Sequence, residues 1–449
     1  MTLQSFVRRP VAVSVLALAS AFVSAPAQPF CGFFVGKADA QLFNKASQVI
    51  MVRDGNRTVI SMLNEYRGEP SEFALVVPVP QVLERGQIRI GDRRIFERID
   101  AFSAPRLAEY FDPNPCEAKI AAEMASMNGM LPRAAPAQMR KDKALGVSVE
   151  ARYTVGEYDI VILSAKESNG LETWLRTNGY RIPRGAAAAL QPYIRQNLKF
   201  FVAKVNLEEH ARSGQTWLSP LQFAFESEKF MLPVRLGMLN AQGAQDLVIY
   251  VLTRNGRVET TNYRAVKLPS DVDVPLYVRN DFAGMYRAVF DEQARREDLR
   301  AVFTEYFWDM SWCDPCAADP LTPDELRQAG AFWVGQANGT APSSGAQPVM
   351  LTRLHLRYTR DTLPEDLMFQ QTADRQPFQV RYVLRHPWSG SADACAAAPA
   401  YFRSVHDREE HEATTLASLT GWSATTIRAS MNLTPRPQQK WWESLWNTK

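Results

Sequence analysis

The sequence predicts a β-rich α+β fold, made of antiparallel hairpin sheets with several packed helices. Short apolar runs rich in β-branched and aromatic residues recur along the chain, separated by Gly, Asn, Asp and Pro turn residues. Helical periodicity is confined to a few separate windows. With 449 residues, 46% of them hydrophobic, the chain can bury one large core or two to three ordinary ones.

Ser47 to Arg53 and Thr58 to Glu65 read as strands around the turn Asp54-Gly55-Asn56-Arg57, a composition suited to positive φ. Phe73 to Val79 is a third strand; Pro78 and Pro80 place it at an edge or make this its terminus. Phe96 to Tyr110 is predicted partly helical, with Pro105 near a start. Val147 to Val155 and Tyr158 to Ser164 are strands. Gly170 to Asn178 is a helix carrying Leu171, Trp174 and Leu175 on one face, with Gly179 just past its end. Ala186 to Asn197 is a helix in which Pro192 predicts a kink or late start. Further strands are expected at Phe200 to Val205, Leu221 to Glu226 and Met231 to Leu236. Leu247 to Thr253 and Arg257 to Tyr263 are predicted to pair as a hairpin around Asn255-Gly256. Asp291 to Trp308 is predicted helical, with Leu299, Val302, Phe303 and Tyr306 on one side. Leu351 to Tyr358 and Phe378 to Arg385 alternate like strands, and Arg403 to Leu419 is a helix.

Composition divides the chain into a signal peptide (1–27), an amino-terminal β-rich domain (28–111), a flexible linker (112–146), a central α+β domain (147–280) and a carboxy-terminal mixed domain (281–449). Arg8 and Arg9 precede the apolar run Val11 to Val23, and Ala25-Pro26-Ala27 offers a small-x-small cleavage pattern before Gln28. That run is shorter than the roughly 20 residues a membrane span needs. No later stretch is apolar for long enough, so no transmembrane segment is expected after cleavage. The expected location is extracytoplasmic, periplasmic or secreted. With 51 basic and 48 acidic residues, a formal charge of +3, there is no basic footprint for nucleic acid, and none is expected as partner. Cys31, Cys116, Cys313, Cys316 and Cys395 would meet an oxidising compartment, where disulfides are the default. The odd count leaves one without an internal partner, and spacing does not choose the pairing.

Several blocks resemble one family. They are Cys31-Gly32-Phe33-Phe34, Tyr66-Arg67-Gly68 and the run Phe73 to Pro80 (FALVVPVP). Val155 to Leu163 (VGEYDIVIL) and Trp174 to Pro183 (WLRTNGYRIP) make a second group; Pro220 to Phe223 and Leu232 to Leu236 make a third. In this order and spacing they resemble the domain of unknown function 2330 family. The resemblance implies an exported bacterial protein; it implies no established activity, cofactor or catalytic residue.

Trp312-Cys313-Asp314-Pro315-Cys316 has the form of a thioredoxin-like redox centre, in which a helix N-terminus lowers the first thiol's pKa. Two features oppose that use. The preceding segment reads as a helix, and Asp319-Pro320-Leu321-Thr322-Pro323 interrupts any helix directly after the motif. A structural disulfide is the expected role of Cys313 and Cys316. Met124, Met127 and Met130, with Met139 beyond, offer soft thioethers that could hold Cu(I), set against a mobile segment or a short helix turning the same methionines to the core. His406 and His411 lie five residues apart, on different faces of a helix; His210, His355 and His386 are isolated in sequence. Ser389 lacks a nucleophile-elbow context, and no P-loop or GxGxxG motif follows a strand, so no cofactor is expected. Trp441, Trp442, Leu445 and Trp446 form an aromatic face near the carboxyl end. The expected function is a non-catalytic, disulfide-stabilised binding or interaction protein of the cell envelope, its ligand or partner protein unspecified. The alternative is an envelope thiol-disulfide oxidoreductase using Cys313 and Cys316.

Overall fold

A computed structural model describes residues 33–36, 43–67, 73–117, 149–165, 168–180, 182–183, 185–213, 218–240, 243–312, 318–335 and 347–435. Strands β1 (Phe33–Gly36), β2 (Phe43–Asp54), β3 (Arg57–Arg67), β4 (Phe73–Val79) and β5 (Ile88–Ile90) come first, then helix α1 (Arg93–Ser103) and β6 (Arg106–Phe111). Next are β7 (Val149–Val155), β8 (Tyr158–Ser164), α2 (Ser168–Thr177), α3 (Ala186–Arg195), β9 (Lys199–Val205) and α4 (Leu207–Ser213). β10 (Leu221–Glu226), β11 (Met231–Leu232), β12 (Gln245–Thr253), β13 (Val258–Thr260), β14 (Arg264–Lys267) and β15 (Val272–Asp273) lead to α5 (Phe282–Arg296). The chain continues through β16 (Ala301–Asp309), α6 (Pro323–Ala329), β17 (Met350–Tyr358), β18 (Leu367–Gln371), β19 (Phe378–Gln379) and β20 (Arg381–His386), then α7 (Ala398–Thr420) and α8 (Ala424–Ser430). The α+β, β-rich class is confirmed.

β2 and β3 form the predicted hairpin. Gly55 takes φ +57°, and pairing runs outward from Asp54 and Arg57. This hairpin sits inside a nine-stranded sheet, ordered β14-β16-β17-β12-β2-β3-β10-β5, with β19 also paired to β16. A second sheet of five strands runs β1-β4-β9-β8-β7. The period-2 alternation of β2 shows how the layers stack. Val49 and Met51 meet Leu75, Val77, Ile160 and Phe201 of the five-stranded sheet. Ile50 and Val52 point the other way, onto Ile95, Phe96 and Ile99 of α1 and Leu326 of α6. The outer face of the five-stranded sheet is covered by Leu171 and Leu175 of α2 and Leu190 and Tyr193 of α3. A last cluster packs Val289 and Phe290 of α5 and Leu416 of α7 against Phe303 of β16 and Leu384 of β20. The nine-stranded sheet thus takes strands from the amino-terminal, central and carboxy-terminal thirds alike.

Five local expectations are corrected. The segment 291–308 is not one helix: α5 ends at Arg296, Asp298 and Leu299 take φ +51° and +57°, and a strand begins at Ala301. Pro105 follows α1 instead of starting it, and β6 comes next. α3 begins at Ala186 and runs through Pro192. The Asn255-Gly256 turn makes no hairpin, because β12 pairs with β2 and β17 while β13 pairs with β18. Gly256 instead takes φ +74° against another segment; a Cβ there would lie 1.9 Å from the Thr372 carbonyl oxygen. The strand expected at Met231 to Leu236 is reduced to β11, followed by a 3-10 turn over Arg235–Asn240.

Cys116 and Cys395 form a disulfide, with Cα atoms 5.8 Å apart. It ties the chain just after β6 to the loop before α7. Asp112, four residues before Cys116, strengthens the tie by accepting from the Tyr401 hydroxyl at 2.8 Å and Arg408 at 2.9 Å.

Candidate functional site

The candidate site lies between the two sheets, at the end of β4. Among the described residues β1 pairs with Phe73 to Val76 and no strand borders Val77 to Val79 on that side, and Pro78 has no amide hydrogen to offer one. On the facing sheet, Ile60 of β3 pairs with Phe223 of β10, and both side chains point into the gap. The result is a cleft of about 450 Å³ between the sheets. Its floor is apolar, formed by Ile60, Met62, Val77, Phe223, Phe225 and Leu232. Its rim is polar: Gln196 at the end of α3, with Ser227, Glu228 and Lys229 in the loop after β10. Lys229 Nζ donates to Gln196 Oε1 at 2.6 Å, bridging that rim.

Arg53, at the end of β2, fixes the rim loop from beneath. Its guanidinium is buried, which pulls its pKa down to about 10. It donates to Thr58 Oγ1 at 2.6 Å and to the Glu228 carbonyl at 3.3 Å, and lies 5.2 Å from the Phe230 ring centre. Such a cleft, apolar below and polar at one edge, suits a small apolar or amphipathic molecule.

A second constellation lies on the opposite face of the nine-stranded sheet. Alternation along β17 sets Arg353, His355 and Arg357 on one side, beneath α1 and α5. Opposite them β16 carries a bulge: Thr304 pairs with Leu354 and Tyr306 with Arg353, leaving Glu305 as the extra residue. Its carboxylate receives Arg353 Nε, the His355 Nδ1 edge at 2.6 Å and the Tyr286 hydroxyl of α5. Burial alone pushes this carboxyl up; the charges of His355 and Arg353, with hydrogen bonds from His355 and Tyr286, overcome burial and hold it at about 2. Arg353 also donates to Asp100 of α1 at 2.6 Å, where the Tyr250 hydroxyl donates too, likewise at 2.6 Å. Arg357 reaches Asp246 and Asp291, each at 2.6 Å. These partners consume the polar groups on one another, so the seam fastens α1 and α5 to the sheet.

His355 is therefore not isolated, as its sequence context implied; it also stacks on Phe290 with ring centres 3.6 Å apart. His386 bonds Glu109 at 2.8 Å, and His406 bonds the Thr434 carbonyl at 2.8 Å, while His411 is exposed. Cys116 and Cys395 are brought together and are no longer partners for Cys313 or Cys316. Cys31, Cys313, Cys316, Met124, Met127, Met130 and Met139 lie outside the described residues, as do the four carboxy-terminal aromatic-face residues. Around the CxxC, a strand, β16, leads toward the motif where a helix was expected, while α6 begins only at Pro323. Among the described residues, no group of three or more His, Cys, Asp or Glu could hold a metal ion, and no helix is long and apolar enough to cross a membrane.

Neither the cleft nor the seam was read from the sequence. The seam had a trace: Arg353-x-His355-x-Arg357 alternates with Leu354 and Leu356, but its polar side is covered, with Arg353 buried and His355 and Arg357 half-buried. A family model described as an uncharacterized protein conserved in bacteria (DUF2330) matches residues 25–370. No curated protein and no solved structure matches the chain.

Proposed function

The chain belongs to the DUF2330 family of uncharacterised bacterial proteins, and we propose that it is an exported envelope protein that binds a small apolar or amphipathic molecule between its two sheets. The cleft carries this reading: about 450 Å³, within the range of ordinary ligand pockets (roughly 300–1,000 Å³), and floored by apolar side chains. Export is supported by the amino-terminal pattern through Ala27 and by the Cys116–Cys395 bond, which suits an oxidising compartment.

The test is a fluorescence titration with N-phenyl-1-naphthylamine, a neutral apolar dye. The native protein binds it saturably. Ser227→Trp, which fills the rim without touching the floor, weakens binding at least tenfold while leaving the melting temperature unchanged. Absence of saturable binding, or equal binding by the variant, contradicts the proposal.

A second reading, an oxidoreductase using Cys313 and Cys316, gains one observation: a strand precedes the motif. It predicts that a mutual Cys313–Cys316 disulfide exchanges readily with a glutathione buffer. Bridges that resist mild reductant exclude it.

A further inference from the structure

The other end of α3 holds a second cavity, of about 430 Å³, with a different lining. A ten-residue helix is about 15 Å long, so this cavity is separate from the cleft at Gln196. Ala188 and Ala189 line it, together with two arginines, Arg235 and Arg360.

Arg235 begins the 3-10 turn after β11. Its backbone amide donates to Asp366 Oδ1 at 3.1 Å, and its guanidinium lies 3.9 Å from Asp366 and 5.8 Å from the Tyr193 ring centre. Tyr193 in turn donates to Asp366 at 2.6 Å. The Arg235 stem is therefore held in place, yet its Nε is buried and has no hydrogen-bond partner among the described residues. A buried donor left without an acceptor is unfavourable, which marks this corner of the fold as unfinished in its hydrogen bonding.

Arg360 sits in the turn after β17. That turn is fixed by reciprocal bonds, from the Thr359 amide to Thr362 Oγ1 at 2.8 Å and from the Thr362 amide to Thr359 Oγ1 at 3.2 Å. No ion-pair partner holds the Arg360 guanidinium among the described residues. It approaches Gly185, where a Cβ would lie 3.3 Å from its Nη1, and Gly185 takes φ +84°. Asp361 also lines the cavity, beside the apolar side chains of Met238 and Leu363.

We propose that this cavity binds a small molecule bearing a carboxylate or phosphate, held between Arg235 and Arg360. Guanidinium forks match the planar or tetrahedral oxygen arrangement of such anions. Asp361 selects ligands that also carry a hydroxyl or ammonium group, which its carboxylate can accept from. The cleft could fail as a binding site without affecting this one, because they share no lining residue.

The probes are inorganic phosphate and lactate, each titrated by calorimetry against the full-length protein, with sodium chloride at matched ionic strength as reference. At least one binds saturably, and the one that binds identifies the anion as phosphate or carboxylate. Arg360→Ala and Arg360→Gln, at an exposed turn position, each weaken that binding at least tenfold. Lys229→Ala, at the other cavity, leaves it unchanged. Binding of neither anion above the chloride reference, or binding that survives both Arg360 variants, overturns the proposal.

Discussion

Glu305 is buried completely, yet its carboxyl is held ionised by Arg353 and His355 on the neighbouring strand. Removing one partner of a buried charge group leaves the others uncompensated, which costs roughly 3–5 kcal/mol. Glu305→Gln should lose about that much stability in urea unfolding at neutral pH. The pH dependence has a definite sign. With the carboxyl near 2 in the fold and near 4.5 when free, the stabilisation is fully present above about 4.5 and is lost as pH falls through about 2. Glu305→Gln should therefore flatten the stability profile across that acid window. This residue was hidden in the sequence because Glu305 lies in a run predicted helical, and only the bulge between Thr304 and Tyr306 aims it at His355.

At the scale of elements, local pattern located most strands and mistook those whose neighbours are distant. β2, β3, β8, β9 and β10 were legible because apolar runs end at turn residues such as Gly55. β16 was not. Leu299, Val302, Phe303 and Tyr306 match a helical spacing, but Val302, Phe303, Tyr306 and Phe307 are all buried in a strand packed on both faces. Such a strand is buried on both faces, with Thr304 and Glu305 inside its apolar residues, and shows no period-2 alternation to distinguish it. Asn255-Gly256 has hairpin composition, but Gly256 is needed for close approach to Thr372, a contact between segments far apart in sequence. Gly256→Ala must move that carbonyl or abandon φ +74°, and should cost about 1–3 kcal/mol in denaturant unfolding. A loss below a few tenths would show that the approach is slack.

At the scale of the whole molecule, the layers are helices α2 and α3, the five-stranded sheet, the nine-stranded sheet, and the helices beyond it. The class of this architecture followed from composition, but its layering did not. Adjacent strands in the large sheet, such as β12 with β2 and β17, come from distant parts of the chain, and no short-range signal encodes such pairing. The cleft was illegible for the same reason, since its floor combines β3, β4, β10 and β11. The Cys116–Cys395 bond joins positions 279 residues apart and fastens β6 to the start of α7. Replacing both cysteines with serine should lower stability by about 2–4 kcal/mol without altering the sheets, as read by denaturant unfolding and circular dichroism.

If the gap between the sheets is a binding site, photolabelling with a small apolar aryl diazirine, followed by peptide mapping, should find it. Saturable labelling is expected on peptides that contain Ile60 and Met62, Val77, Phe223 to Phe225, and Met231 to Pro233. Labelling spread evenly over the surface, or concentrated away from those peptides, would contradict it.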